Sequence, residues 1–254
     1  MKIAIVTGAS SGMGKEFVKE LDRREDFDEI WTVARREDRL LALQSEVKAR
    51  IRPICLDLSK TESIDRLRVL LEEEKPEVAV LVAASGFGKF KAFLDTPIED
   101  LYGMIDLNAK ALMGVTYHVL PYMKEGGRIY EVDSLSAFQP VPYIGVYGAT
   151  KAFVLSFSRS LNVELKSRGI RVMAVCPGWV KTEFFDRAVT DDSTIVYYNR
   201  FYEAKDVVLH AIKDMKKGKD VSILGFPIRA QVLATKLLPH KIVMRIWCKQ
   251  QKKL

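Results

Sequence analysis

The chain has 254 residues, 48% of them hydrophobic, enough for a sizeable core in one large α/β domain or two small ones. No apolar run reaches the roughly 18–20 residues that cross a bilayer, and the opening Met1–Gly8 stretch enters a glycine turn too soon for a secretory signal. The net charge of +7 sits at the C-terminal end, where Arg229, Lys236, Lys241, Arg245, Lys249, Lys252 and Lys253 meet no acidic residue; the rest of the chain is balanced, which argues against nucleic-acid binding. Three distant cysteines (Cys55, Cys176, Cys248) fit free thiols in a reducing cytoplasm. The three histidines have no metal-ligand spacing, so no metal is expected.

Lys2–Thr7 is a short apolar run suited to a buried strand. Gly8, Ser10, Ser11, Gly12, Met13 and Gly14 follow, and then a helical stretch from Lys15 to about Glu25. Strand, glycine-rich turn and helix in that order make a phosphate cradle. Glycines let the backbone approach a pyrophosphate, and the helix start offers free N–H groups and a positive dipole end. Glu29–Ala34 reads as a second strand ending in Arg35 and Arg36. In dinucleotide folds an acid at this place holds the 2′-hydroxyl of NAD, whereas arginine accommodates the 2′-phosphate of NADP, so NADP(H) is expected over NAD(H).

Glu37–Arg50 is predicted as an amphipathic helix and Ile51–Leu56 as a third strand, followed by Asp57 and Leu58. Thr61–Glu74 reads as a helix, and Glu77–Ala83 as a fourth strand closed by the small residues Ala84, Ser85 and Gly86. Alternating strands and helices mean an α/β protein with a parallel sheet, whose ligands bind beyond the carboxyl ends of the strands. Phe87–Asp95 reads as a loop, and Pro97 opens a helical region. Leu107–Met123 has apolar residues at helical spacing and contains Asn108. Gly127–Val132 is a fifth strand, with Ser134 just past it. A loop then leads into a helix reaching about Ser167 that carries Tyr147 and Lys151. Four residues apart, phenol and ammonium share one helix face. A positive charge beside a phenol stabilises the phenolate, which suits proton exchange with a substrate oxygen near neutral pH. Ile170–Val175 is a sixth strand, ending at Cys176, Pro177 and Gly178.

Thr7-Gly8-x3-Gly12-x-Gly14, Asp57-Leu58, Asn108, Ser134, Tyr147-x3-Lys151 and Pro177-Gly178-x-Val180-x-Thr182 stand in this order between residue 2 and about residue 182. Together they resemble the short-chain dehydrogenase/reductase family. The resemblance implies one Rossmann-type doubly wound domain over residues 1–254, with a seven-stranded parallel sheet flanked by helices on both faces. It implies an NADP(H)-dependent oxidoreductase interconverting a carbonyl and an alcohol. Tyr147 would be the acid/base, and Lys151 would lower its pKa and hold the nicotinamide ribose. Ser134 would bond the substrate oxygen, and Asn108 would hold a water in a proton relay. Gly8 to Gly14 would line the pyrophosphate path, and Asp57 and Leu58 would meet the adenine. Ala84 and Gly86 would flank the adenosine, and Pro177, Gly178, Val180 and Thr182 would lie at the nicotinamide. A homodimer or homotetramer through the 107–123 and 147–167 helices is also implied.

Three positions depart from the family pattern. Ala83-Ala84-Ser85-Gly86 replaces the common Asn-Asn-Ala-Gly and removes side-chain hydrogen bonds that brace the sheet. Asp133 stands where a serine is common and is expected to point away from Tyr147. Glu131 stands where asparagine is frequent and is expected to be paired or at the sheet edge. These departures keep open a second reading, a non-catalytic NADP(H)-binding sensor or scaffold.

Residues 179–202 carry seven aromatics and are expected to form a substrate lid, the rings either lining an apolar or bulky site or packing the lid on the body. Glu203–Lys217 reads as a helix and Val221–Leu224 as the seventh strand. In the basic extension, 229–254, Lys241, Arg245, Lys249 and Lys253 recur every four residues beside Ile242, Val243, Ile246 and Trp247. Such a helix, over 239–254, can lie on an anionic membrane surface, cover the substrate mouth or pack on a partner subunit.

Overall fold

The computed structural model describes residues 1–189 and 194–253. Its strands are β1 (Lys2–Thr7), β2 (Glu29–Ala34), β3 (Arg50–Cys55), β4 (Glu77–Ala83), β5 (Arg128–Val132), β6 (Arg171–Val175), β7 (Trp179–Lys181), β8 (Phe201–Glu203) and β9 (Val221–Ser222). Its helices are α1 (Gly12–Asp22), α2 (Glu37–Ala42), α3 (Thr61–Glu74), α4 (Ile98–Ile105), α5 (Leu112–Val119), α6 (Gly145–Glu164), α7 (Phe184–Ala188), α8 (Ala204–Lys216), α9 (Phe226–Leu237) and α10 (His240–Gln250). A seven-stranded sheet runs β3-β2-β1-β4-β5-β6-β9, every pair parallel.

The strands are apolar nearly end to end because helices cover both faces. Successive side chains of β1 feed opposite layers. Ala4 and Val6 pack with Phe17 and Leu21 of α1, Leu40 of α2 and Met215 of α8. Ile3 and Ile5 pack with Leu67 and Leu71 of α3, Val115 and Val119 of α5 and Leu161 of α6. Each of the larger of these side chains contributes about 1.5–3 kcal/mol of burial. The doubly wound parallel sheet is therefore the architecture expected, and its carboxyl rim gathers Gly8, Asp57, Ala84, Ser134 and Pro177 just beyond successive strand ends.

Several elements differ from expectation. The helix predicted to Arg50 stops at Ala42 and finishes as a 3-10 turn, Leu43–Glu46. Both carboxylate oxygens of Asp22 accept backbone N–H bonds, from Lys48 at 3.0 Å and Ala49 at 2.8 Å, and this draws the chain into β3. The 107–123 helix is the latter part of a longer run that begins at Ile98 and passes through a π-helical turn, Asp106–Ala111. The seventh strand of the large sheet is two residues long. A small parallel pair, β7 and β8, was not foreseen.

Glu131 is not at an edge, because β5 lies between β4 and β6. It is fully buried, accepting hydrogen bonds from Thr116 Oγ1 at 3.3 Å and from the Ser158 hydroxyl. Burial pushes its carboxyl up to about 7 in spite of those two hydroxyls.

Candidate active site

The glycine turn after β1 is tightly folded. Gly8 has φ +66°, and a Cβ there would stand 2.7 Å from the carbonyl oxygen of Ala84. A Cβ on Gly14 would stand 2.3 Å from the carbonyl oxygen of Gly8, so α1 can begin here only with glycine. Gly12 faces the Thr182 side chain, 3.1 Å from where its Cβ would be. The Ser11 side chain makes no capping bond to α1. The first-turn N–H groups therefore lack that side-chain partner, which fits a pyrophosphate seated at this end of the helix. At the end of β4 the missing asparagine brace has a substitute: Thr7 Oγ1 accepts from the amides of Ala84 at 3.0 Å and Ser85 at 3.1 Å.

Of the two arginines after β2, Arg36 turns over the glycine loop. Its Nη2 donates to Ser10 Oγ at 3.0 Å and Ser11 Oγ at 3.1 Å, and its Nη1 donates to Glu183 at 2.8 Å. Arg39 pairs with the other oxygen of Glu183 at 2.5 Å. A guanidinium fork beside two hydroxyls fits a phosphate ester. Arg35 does not join this group. Its side chain is exposed, and its carbonyl accepts from Cys55 Sγ at 3.1 Å. Asp57 accepts from the amide and hydroxyl of Ser59 at 3.2 and 2.8 Å. Burial opposes its charge, but the Ser59 bonds with Arg35 and Lys60 nearby hold the carboxyl below its ordinary value. Leu58 lies in the core rather than on the groove.

Tyr147 and Lys151 are both buried, one turn apart on α6, with Lys151 Nζ 5.7 Å from the phenol ring centroid. Lys151 Nζ donates to the carbonyl of Val132 at 2.8 Å. Asn108 sits in the π-helical turn, fully buried. Its Oδ1 accepts from Phe87 N at 3.0 Å; its Nδ2 donates to Phe87 O at 2.8 Å and Thr150 Oγ1 at 3.1 Å. Thr150 in turn donates to the Tyr147 carbonyl at 2.7 Å. The Asn108 amide is thus committed to clamping the Phe87 loop to the Tyr147 turn, a job the relay expectation did not include.

Ser134 Oγ accepts from Ser136 N at 3.2 Å. Burial pushes the Tyr147 phenol well above its ordinary value; a hydrogen bond with the Ser134 hydroxyl opposes this, and the acidic groups of Asp133 and Cys176 add to it. The expected low phenol pKa set by Lys151 is therefore not what this geometry gives. Burial pushes the Lys151 ammonium down, with Asp133 partly restoring it. Nor does Asp133 point away. It is buried at the cavity wall, where Oδ2 accepts from Cys176 Sγ at 3.4 Å and Oδ1 has no hydrogen-bond partner among the described residues. Burial pushes its carboxyl up to about 8, Lys151 opposing.

Tyr147 and Ser134 border a cavity of about 370 Å³, edged by Met13 and Thr182 towards the glycine turn, with Pro177, Gly178 and Val180 alongside. Phe90, Trp179, Phe184 and Phe185 form its aromatic wall, with Phe184 5.6 Å from the Tyr147 ring centroid to centroid. The lid aromatics do both expected jobs, since Trp179 also packs edge-on against Tyr198 at 4.9 Å. Residues 190–193 of the expected lid lie outside the described residues. The extension closes one side of the cavity with Leu238, Val243, Ile246 and Trp247. Trp247 Nε1 donates to Pro142 O at 3.0 Å, and Gln251 Oε1 accepts from the amides of Val196 and Tyr197 at 2.9 and 3.0 Å. α10 thus packs over one side of the cavity. Sequence reasoning named Thr7 only as part of the glycine motif, without its brace, and missed Glu183 and Gln251; their partners lie 77, 147 and 55 positions away, beyond any local signal.

The family profile described as short chain dehydrogenase matches residues 2–193. The chain belongs to the short-chain dehydrogenase/reductase family. This short-chain dehydrogenase/reductase is 35% identical over 188 residues to an uncharacterized oxidoreductase of Myxococcus xanthus, a match covering 72% of this chain and 73% of that one. Its structure is similar to a short-chain dehydrogenase from Sphingobium yanoikuyae in complex with NADPH, with a TM-score of 0.80, 29% identity, and 93% and 94% of the two chains covered. It is also similar to the bulky-bulky ketone specific alcohol dehydrogenase from Comamonas testosteroni, with a TM-score of 0.73, 27% identity, and 93% and 92% covered.

Proposed function

We propose that this oxidoreductase is an NADPH-dependent carbonyl reductase acting on an apolar or bulky ketone or aldehyde. The observation that carries the reading is the Tyr147 phenol, buried beside Ser134 at an aromatic-walled cavity that runs to the glycine turn. Gly8 to Gly14 and the uncapped start of α1 would hold the pyrophosphate, Arg36 with Ser10 and Ser11 the 2′-phosphate, Asp57 the adenine and Lys151 the ribose. When bound, the dinucleotide supplies a hydride to the carbonyl carbon. Ser134 donates a hydrogen bond to the substrate oxygen, where negative charge develops. Tyr147, whose raised pKa keeps its proton at neutral pH, delivers that proton to the same oxygen. Such a phenol suits reduction better than alcohol oxidation.

NADPH over NADH rests on Arg36, since structural relatives bind either dinucleotide. The family resemblance and the exposed Met113, Tyr117 and Phe153 on α5 and α6 support a homodimer or homotetramer through those helices. Three free cysteines support a cytoplasmic setting. We read residues 1–254 as one unit, with 179–202 as lid. A non-catalytic sensor is the weaker reading, because Ser134 and Tyr147 meet at one cavity end with Lys151 buried one helical turn behind the phenol. NADPH oxidation against carbonyls graded by size and polarity tests the proposal. Turnover that grows with apolar bulk is expected; NADPH binding without turnover of any carbonyl would favour the sensor.

A further inference from the structure

Helix α9 is apolar on both faces. Ile228, Val232 and Thr235 are buried against the body. Phe226, Leu233 and Leu237, on the opposite side of the helix, are 77%, 59% and 75% exposed. A helix at a globular surface ordinarily turns charge outward there. Arg229 and Lys236 flank this strip, and the outer side of α10 carries Lys241, Arg245 and Lys249, all exposed, beside the exposed Ile242. No carboxylate side chain occurs from Arg229 onward. The exposed residues lining the active-site cavity are Tyr197 and Asn199 of the lid, Gln231 and Ala234 of α9, Leu238 just after it, and Ile246 and Gln250 of α10, so the cavity opens where the lid meets these two helices, beside the strip.

We propose that α9 and α10 dock the protein on an anionic membrane surface and that the cavity takes its carbonyl substrate from that bilayer. The apolar strip enters the acyl boundary while the basic ridge meets the headgroups, as in other interfacial helices. Charge selects the occupant: a second copy seated on this face would bring two uniformly basic segments together, whereas an anionic surface complements them. The substrate half of the inference rests on the carbonyl-reductase reading; the docking half does not.

Flotation of the NADPH-loaded protein with phosphatidylcholine vesicles, with and without phosphatidylglycerol, tests the docking. Binding to the anionic vesicles alone, weakening as salt rises, is the expected result. Each basic residue near such a surface contributes on the order of fivefold in partitioning, so the triple variant Lys241→Glu, Arg245→Glu, Lys249→Glu loses at least about a hundredfold. The variant Phe226→Ser, Leu233→Ser, Leu237→Ser loses flotation even at low salt. All six substitutions are at exposed positions, so both variants keep NADPH binding and turnover of a short water-soluble ketone. Their kcat/KM falls only for a long-chain methyl ketone presented in anionic vesicles. Absent flotation of the unmodified protein, equal flotation with neutral vesicles, or a dimer that the serine variant dissociates overturns the docking. Flotation without turnover of any ketone upholds the docking and sinks the reductase reading alone.

Discussion

Glu131→Gln removes a carboxyl from the middle of the sheet and leaves an acceptor for Thr116 and Ser158. In the folded protein this carboxyl is carried from 4.5 to about 7, chiefly by burial. A raised acid binds its proton more tightly folded than unfolded. Its stabilising contribution is complete below about pH 4.5 and is lost as pH rises through about 7. At about 1.4 kcal/mol per pH unit, that window is worth about 3 kcal/mol. Glutamine does not titrate, so the variant lacks this part of the pH dependence. Urea unfolding of both proteins at a series of pH values reads the difference. Asp133 titrates in an overlapping range with the same sign, and the Glu131 charge helps hold its carboxyl up, so the variant also eases Asp133 downward and both changes lessen the loss of stability as pH rises. With a urea slope of about 3 kcal/mol/M, the midpoint of the variant should gain about 1 M on the unmodified protein between about pH 5 and pH 8. Parallel midpoints across that range would refute the buried, raised carboxyl.

Other consequences follow from the site. Arg36→Ala should weaken NADPH binding by about tenfold or more, the loss of a charge-assisted phosphate contact, and leave NADH nearly unchanged; equal losses by calorimetry would remove Arg36 from the 2′-phosphate. Asp133→Asn removes a negative charge that holds the Tyr147 phenol up. The pH at which alcohol oxidation switches on should then fall by up to about one unit, and a rise would contradict the inward carboxyl. Thr7→Val deprives two backbone amides at the end of β4 of their acceptor. It should cost about 1–3 kcal/mol in denaturant unfolding; no loss would mean the brace is idle.

The parallel sheet was readable because strands buried on both faces are written as unbroken apolar runs, as in Ile3–Val6 and Val78–Ala83. The glycine turn was readable because Gly8 and Gly14 sit where a Cβ would strike backbone. What escaped depends on distant partners. Nothing near Arg50 announces that Asp22 will end α2, and nothing near Arg36 announces Glu183. The π-helical turn at Asn108 barely disturbs the apolar spacing on either side, so it reads as plain helix. Asp133 follows the alternation of β5 into the interior, but its orientation depends on Cys176 at the end of the neighbouring strand. The outward apolar strip of α9 was invisible because the sequence shows Phe226, Leu233 and Leu237 without showing which side of the helix the body covers.

The most direct test of the account is NADPH oxidation by the unmodified protein and by Tyr147→Phe, with a bulky apolar ketone and with cofactor binding measured in parallel. Turnover by the unmodified protein, its loss by about a thousandfold or more in the variant, and unchanged NADPH binding are the expected results. Turnover retained in Tyr147→Phe would contradict the claim that this phenol delivers the proton.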